Sequence, residues 1–573
     1  MDDTGHLQTT LARLPVLLLD AQATSSHPAR GALLEMAWAA FAAGEARGMP
    51  HARVTTHVVA PPPGALLPRA VARITGLDTA EWTRGIAPGE AWERLREAAS
   101  DLAPRGGRVP AVIHYARFEE PFLRALHTLH GTGAFPFDIV CTHAIARRLF
   151  PELPRRTLRA LAGYLGAGVP SRRRSADHVV ATGFVWQQLV ALLAEREGVV
   201  GRDDLDDWLA RPLRRAPRAF PLAREKRREL PDRPGVYRFV RTGGAVLYVG
   251  KAASLRQRVS GHFHAHAGQG ERTLEMLTQV REVSWSVTET ALEAALFESD
   301  EIKRLTPPYN VALASTGRSV WYATPDLAHL QEWPDARHRA GPFVSPAPLE
   351  AFAVLRALLA DPRPASLPAR ARAVGAEPGR APAPDCFADG LARLRERHGP
   401  DATACGLLRL GARLWALRRA APGAGPDEQP SLPTEAPERP AWDAERVALA
   451  LEETVLRAAH AVRRARWLLR LSECSLAWAE GGRPDGRRFL VIQGGAVVAR
   501  ADLAPGAPLP LPPGHARPAA ERRAAFDLAR FDRLRVLTTE LRALTADAAS
   551  VEVRLGLHAR LSHRRLRAVL RWL

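Results

Sequence analysis

Lysine, asparagine and cysteine are nearly missing from this 573-residue chain, and each shortage narrows what the chain can be. The four cysteines (Cys141, Cys386, Cys405 and Cys474) are scattered, with no CxxC pair. That excludes a disulfide-stapled scaffold and a cysteine-cage zinc site, and it suits a reducing compartment. Long apolar runs are also missing; the longest near the start, Leu14 to Leu19, suits a buried strand and is too short for a membrane span. Asp2 and Asp3, with no cleavage site after them, argue against a secretion signal. The expected setting is the cytoplasm, in association with the nucleoid and not with a membrane.

What remains is basic. The formal charge is +19, and of the 80 basic residues only Lys226, Lys251 and Lys303 are lysines. Asn310 is the sole asparagine. Such a charge points to a polyanionic partner, although charge alone fits general solubility equally well. In this composition a surviving lysine or asparagine is expected to do what arginine or aspartate cannot.

The chain is too long for one core, so several domains are expected. Residues 14–200 alternate strand-like runs ("PVLLLD", "VPAVIHYA") with helix-like ones ("ATGFVWQQLVALLAERE"), which predicts an α/β layer fold. A charged bridge leads to a compact unit at 226–313. Residues 314–420 read as a connecting region interrupted by a linker, "DPRPASLPARARAVGAEPGRAPAP", and a second linker, "APGAGPDEQPSLPTEAPERPAW", precedes a last domain at 440–573. There a helix from Asp443, its N-cap, to about Leu471 is followed by strands in "CSLAWAE" and "RFLVIQGGAVVARAD" with a Gly494-Gly495 hairpin turn. The arginines of the final "HARLSHRRLRAVLRWL" read as a solvated helix face slightly more than as a nucleic-acid contact.

Chemistry concentrates between Pro231 and Leu313. "GVYRFV" and "AVLYVG" form two short strands joined by Gly243-Gly244, which places Tyr237 and Tyr248 on neighbouring strands. Helical spacing in "SLRQRVSGHF" turns Leu255 and Val259 inward and carries Arg258, and a later amphipathic helix carries Glu298. Phosphodiester cleavage needs a metal on the phosphate oxygens, a base for water, and cations for developing charge. One carboxylate with mostly water ligands is enough for Mg²⁺ or Mn²⁺, and Glu298 suits that role. Tyr248 or Tyr237 is then the base, its pKa lowered by a neighbouring Lys251, and Lys251 and Arg258 stabilise charge.

"PGVY", "LYVGKA", "SLRQRV" and "ETALEAALFESDEIKRLTPPYN" resemble the GIY-YIG endonucleases, and most closely the UvrC branch. The resemblance implies a fold with a small antiparallel sheet and helices. It implies Tyr237 and Tyr248 as signature tyrosines with Tyr248 the general base, Lys251 assisting, and Arg258 on the scissile phosphate. It implies Glu298 as the single-metal ligand and Asn310 as the residue that orders the site. His262 stands where UvrC proteins usually carry tyrosine, and its imidazole is expected to contact phosphate. The resemblance fades after the nuclease unit. No cysteine cluster follows, and no second, RNase H-like nuclease is found, so the single-incision Cho-type homologues compare best.

"LPVLLLDAQAT", "AVIHYARFEEPFL", "DIVCTHAIARRLFPELPRRTLRALAGYLG" and "ADHVVATGFVWQQL" resemble the DnaQ-like 3′–5′ exonucleases of RNase H fold, which hold two metals on four carboxylates with a histidine base. Here that set is eroded. Asp20 is followed by Gln22 where a glutamate is expected; Glu119 replaces an aspartate. Arg173 falls at the histidine position and His178 at the last aspartate position, with Asp177 one residue aside. One residue along a helix turns a side chain by about 100°.

The whole is thus expected to be a multidomain α/β and α+β protein. It would combine a degenerate exonuclease fold kept for binding, a UvrC-like nuclease acting on DNA in excision or related repair, and a C-terminal helix-plus-hairpin domain. Excision-repair or replication proteins are the expected protein partners. A bifunctional exonuclease/endonuclease and a non-catalytic DNA-binding scaffold are the rival readings.

Overall fold

The computed structural model describes the chain except for residues 1–8, 47, 104–106, 169–173, 215, 265–269, 311–318, 362–364, 400, 421–440, 480–486, 505, 548–549 and 572. It divides into two compact units, Met1–Glu289 with Leu305–Val311, and Thr290–Arg304 with Ala312–Leu573.

In the first unit the early apolar run becomes β1 (Val16–Ala23), followed by β2 (Leu33–Phe41), β3 (Thr55–Val58), β4 (Val109–Ile113), helix α1 (Ala116–His130) and β5 (Phe137–Cys141). The sheet order is β3-β2-β1-β4-β5, with β1 to β3 antiparallel and β4 and β5 running parallel to β1. β1 and β2 are apolar almost throughout because both sheet faces are covered. Leu18 and Ala37 share one cluster with Trp186, while Leu17 and Met36 share another with Trp92. Helices α2 (Leu158–Leu165) and α3 (Ser175–Leu192) complete this fold, and the Thr157 side chain caps α2 by accepting from Ala160 N.

The same unit continues into β6 (Gly235–Val240), β7 (Val246–Ala252), α4 (Leu255–Phe263), α5 (Glu271–Gln279) and β8 (Glu282–Val287). Gly243 and Gly244 both take positive φ (85° and 82°), which only glycine adopts freely, and this makes the tight turn between β6 and β7. The strands are antiparallel in the order β7-β6-β8, so β7 is an edge. Ser254 caps α4, and Leu255, Val259 and Phe263 at i, i+4 and i+8 turn one stripe into the core.

The second unit begins with α6 (Ala291–Leu305), whose Leu292 and Leu296 share a core with Leu468, Leu476 and Leu534. A small sheet of β9 (Trp321–Ala323), β10 (Leu330–Gln331) and β11 (Ala340–Phe343) follows. Next comes the long α7 (Ala444–Leu471), capped by the Asp443 side chain, which accepts from Arg446 N. β12 (Glu473–Ala479), β13 (Arg487–Gln493), β14 (Ala496–Leu503), β15 (Val551–Arg554) and β16 (Arg560–Leu561) form a sheet in the order β14-β13-β12-β15-β16.

Two expectations change. The Pro/Ala/Arg-rich stretch 361–384 is not a bare linker: a helix at Leu367–Ala373 buries Ala371 and Ala373, and Arg370 donates to Pro382 O at 3.0 Å. Alanines pack closely and a buried guanidinium can satisfy carbonyls, so a composition typical of linkers folds here. The C-terminal hairpin is one edge of a five-stranded sheet, because β15 returns to pair with β12, Val551 lying opposite Trp478 and Arg554 opposite Ser475. By contacts, α6 is counted almost entirely in the second unit and residues 305–311 in the first. The second linker lies, but for its last two residues, outside the described residues.

Candidate active site

The β6–β7 register decides which side chains meet. Tyr237 lies opposite Gly250 and Phe239 opposite Tyr248, so both tyrosines share one face, with ring centroids 6.1 Å apart. Gly250 is required by that closeness: a Cβ there would stand 2.5 Å from the Tyr237 hydroxyl and 2.8 Å from the Tyr248 ring. Tyr237 is fully buried, whereas Tyr248 is half-buried. Only the latter presents a surface to solvent. Lys251 pairs with Val236, one step past Gly250 and therefore on the alternate face of the pleat.

α4 brings His262 onto the tyrosines. Its Nε2 lies 2.6 Å from the Tyr237 hydroxyl, and its ring is 6.0 Å from that of Tyr248. Burial, and secondly the neighbouring Arg258, lower the His262 pKa to about 4. At neutral pH it is an uncharged imidazole in contact with a phenol. Arg258, one turn earlier, is exposed.

This has a measurable consequence. A histidine whose folded pKa is depressed from 6.5 stabilises nothing extra above pH 6.5 and costs stability as pH falls toward 4, here by about 3 kcal/mol at full protonation. Thermal melts of the wild type and His262→Gln between pH 8 and pH 4 are expected to converge as pH falls, the wild type losing more. Parallel curves would show that His262 is not held neutral by the fold.

Asn310 sits on the edge strand. Its Oδ1 accepts from Val249 N at 2.9 Å and its Nδ2 donates to Val249 O at 2.8 Å, while Tyr309 N donates to Leu247 O at 3.1 Å. Tyr248 is thus held between two residues whose backbone groups are engaged from outside the sheet. No aspartate could make both bonds, since it has no N–H to donate.

Glu298 is half-buried on α6. α6 is fixed within its own unit by charged contacts as well as by Leu292 and Leu296. Buried Glu293 pairs with Arg488 at 3.2 Å and Arg500 at 2.9 Å, Lys303 pairs with fully buried Asp532 at 2.9 Å, and Asp300 pairs with Arg533. Among the described residues no three His, Cys, Asp or Glu side chains form a metal cage. The donor set fits a hard divalent ion that keeps most of its waters and takes one carboxylate, not a closed structural site.

In the N-terminal fold the acidic positions are brought together but already engaged. His178 Nδ1 lies 3.0 Å from Asp20 Oδ1, Gln22 Nε2 donates to Asp20 Oδ2 at 2.7 Å, and the Gln22 amide and His178 are themselves 3.1 Å apart. Glu119 Oε2 accepts from Ala21 N at 2.9 Å, and burial, reinforced by Asp20, raises its pKa well above the carboxylate range. Asp177 points elsewhere, 3.4 Å from His51. Arg173 lies outside the described residues.

Two groups gave no signal in the sequence. Buried Glu35 accepts from Ser175 N at 2.7 Å and from Arg174 Nη2 at 2.5 Å, and so anchors the start of α3. Glu275 accepts from the Tyr309 hydroxyl at 2.8 Å. Partners 140 and 34 residues apart leave no local pattern to read.

The UvrC-like GIY-YIG domain family matches residues 233–311. Over 97 residues the chain is 39% identical to the UvrABC system protein C of Chlorobaculum tepidum, covering 17% of this chain and 16% of that protein. Over 124 residues it is 40% identical to the same-named protein of Alkalilimnicola ehrlichii, covering 21% and 20%. The chain therefore spans a fifth or less of the length of these relatives. Among solved structures, the GIY-YIG N-terminal endonuclease domain of UvrC from Thermotoga maritima, bound to magnesium as its catalytic divalent cation, is 32% identical; it covers 15% of this chain and 94% of that one, with a TM-score of 0.14.

Proposed function

We propose that the chain is a metal-dependent DNA endonuclease of UvrC/Cho type, making single-strand incisions in nucleotide-excision or related repair. The observation that carries this reading is the set of Tyr237, Tyr248, Arg258, His262 and Asn310 around one edge strand, within the segment that matches the family. Tyr248, the more accessible tyrosine, takes the proton from the attacking water. Arg258, exposed on α4, binds the scissile phosphate, and Lys251 adds positive charge. A divalent ion, Mg²⁺ or Mn²⁺, held by Glu298 would neutralise charge on the phosphate oxygens. DNA is the substrate in this reading; excision-repair or replication proteins are its partners, in the cytoplasm at the nucleoid. Among the described residues no helix is long and apolar enough to cross a membrane. The test is to incubate the protein with nicked, flapped and lesion-bearing duplexes plus Mg²⁺ or Mn²⁺ and to map the cuts. Absence of metal-dependent cuts on all of them would favour the scaffold reading.

The N-terminal fold is read as a degenerate RNase H-type exonuclease retained for binding, a reading its mixed sheet supports. Both oxygens of Asp20 are engaged by side chains where a two-metal site would need them open. The Glu298→Ala protein is therefore expected to leave a 3′-labelled single strand intact in Mg²⁺ or Mn²⁺. Release of 3′ mononucleotides that disappears on Asp20→Ala would sink this and revive the bifunctional enzyme.

A further inference from the structure

The N-terminal fold touches the nuclease fold through α2 and α5, and the contact leads back to the edge strand. Thr157 Oγ1 donates to Glu275 Oε2 at 3.1 Å, and Arg159 lies 3.6 Å from Glu275 Oε1, both groups being largely buried. Gly163 is packed so tightly that a Cβ there would fall 1.9 Å from Gln279 Oε1. Arg281 stacks over the Tyr164 ring at 3.9 Å and donates to Tyr164 O at 3.1 Å.

Glu275 and Gln279 then hold Tyr309. The Tyr309 hydroxyl donates to Glu275 Oε1 at 2.8 Å and accepts from Gln279 Nε2 at 2.6 Å, while the Arg159 guanidinium lies 4.6 Å over its ring. Arg272 fixes the preceding residue by donating to Pro308 O at 2.9 Å. The residue after Tyr309 is Asn310, which brackets Val249 beside Tyr248.

We infer that the N-terminal fold is a working part of the nuclease, with Arg159, Glu275 and Tyr309 as positioning residues that set the edge strand bearing Tyr248. The inference rests on the nuclease reading above and assigns the N-terminal fold a task that needs no hydrolysis of its own. The physics is that of a braced edge. Strand β7 has a sheet neighbour on one side only, so its position on the other side is set by Tyr309 and Asn310. Those two residues are placed by a phenol between a carboxylate and an amide, and the carboxylate is neutralised by an arginine from the other fold. Removing one member leaves the others partly buried without their complement, which shifts the segment instead of merely loosening it. A general base displaced by a fraction of an ångström loses rate without losing substrate.

The experiment uses the full chain with Arg159→Met, Glu275→Ala, Glu275→Gln and Tyr309→Phe. Two quantities are read: kcat and KM for nicking, and hydrogen exchange at the Val249 amide. Arg159→Met, Glu275→Ala and Tyr309→Phe are expected to lower kcat between about tenfold and a hundredfold with KM unchanged. Val249 exchange should quicken, while β1 amides exchange as in the wild type. Glu275→Gln keeps an acceptor for Tyr309 and should recover most of the rate. Wild-type kcat in Arg159→Met and Glu275→Ala would overturn the inference, as would unchanged Val249 exchange. A wild-type chain that never nicks, yet whose Val249 exchange responds to these changes, would overturn the nuclease reading and leave the brace standing.

Discussion

Glu298→Ala is expected to abolish metal-dependent nicking while the protein stays folded and still binds DNA. The carboxylate is half-buried, so its removal opens no core cavity. The helix beneath it is held by Leu292 and Leu296 in the core and by the Glu293, Asp300 and Lys303 ion pairs, none of which involves Glu298. On the proposed reading, what is lost is the metal's ligand. A metal supplies several kcal/mol of transition-state charge stabilisation, and losing it costs about three orders of magnitude in rate or more. Plasmid nicking, a DNA-binding isotherm and a thermal melt together make the test. A variant that cuts at the wild-type rate would remove Glu298 from the site; one that melts many degrees lower would make it a packing residue.

The second large effect is expected from Tyr248→Phe, a loss of about 10²- to 10⁴-fold in kcat with KM for DNA nearly unchanged. The substitution keeps the ring that packs with Tyr237 and Phe239 and removes only the ionisable hydroxyl. Tyr237→Phe is the instructive comparison. That hydroxyl is buried and sits against the neutral His262 imidazole, so it serves the packing of the site more than proton removal from water. A Tyr237→Phe variant that is hurt more than Tyr248→Phe would reverse the two roles.

Local patterning carried most of what was legible. The β6–β7 hairpin followed from a glycine pair between alternating strands, and α7 began at the Asp443 cap as expected. Helical spacing turned Leu255 and Val259 inward. Asn310 drew notice because it is the sole asparagine, and the strand bonds give that singularity a reason: one side chain both donates to and accepts from a single residue. Non-local geometry stayed hidden. The neutrality of His262 depends on what buries it. That Asp20 meets His178, 158 residues away, was legible only through the resemblance to the exonucleases and not from any local pattern. The stretch 361–384 misled because a proline in the first turn of a short helix, followed by alanines, reads like linker composition, and only burial separates the two.

Edge strands are also a hazard of solubility. A row of open backbone groups on β7 is a template for a strand from another chain, and its apolar residues would strengthen such pairing. The Tyr309–Asn310 segment occupies the carbonyl of Leu247 and both backbone groups of Val249 on that side, and an asparagine side chain, unlike a strand, offers nothing to extend the ladder further. The same two bonds that hold Val249 thus terminate the sheet, and they keep a chain with a short, apolar edge from adding a copy of itself to its own sheet.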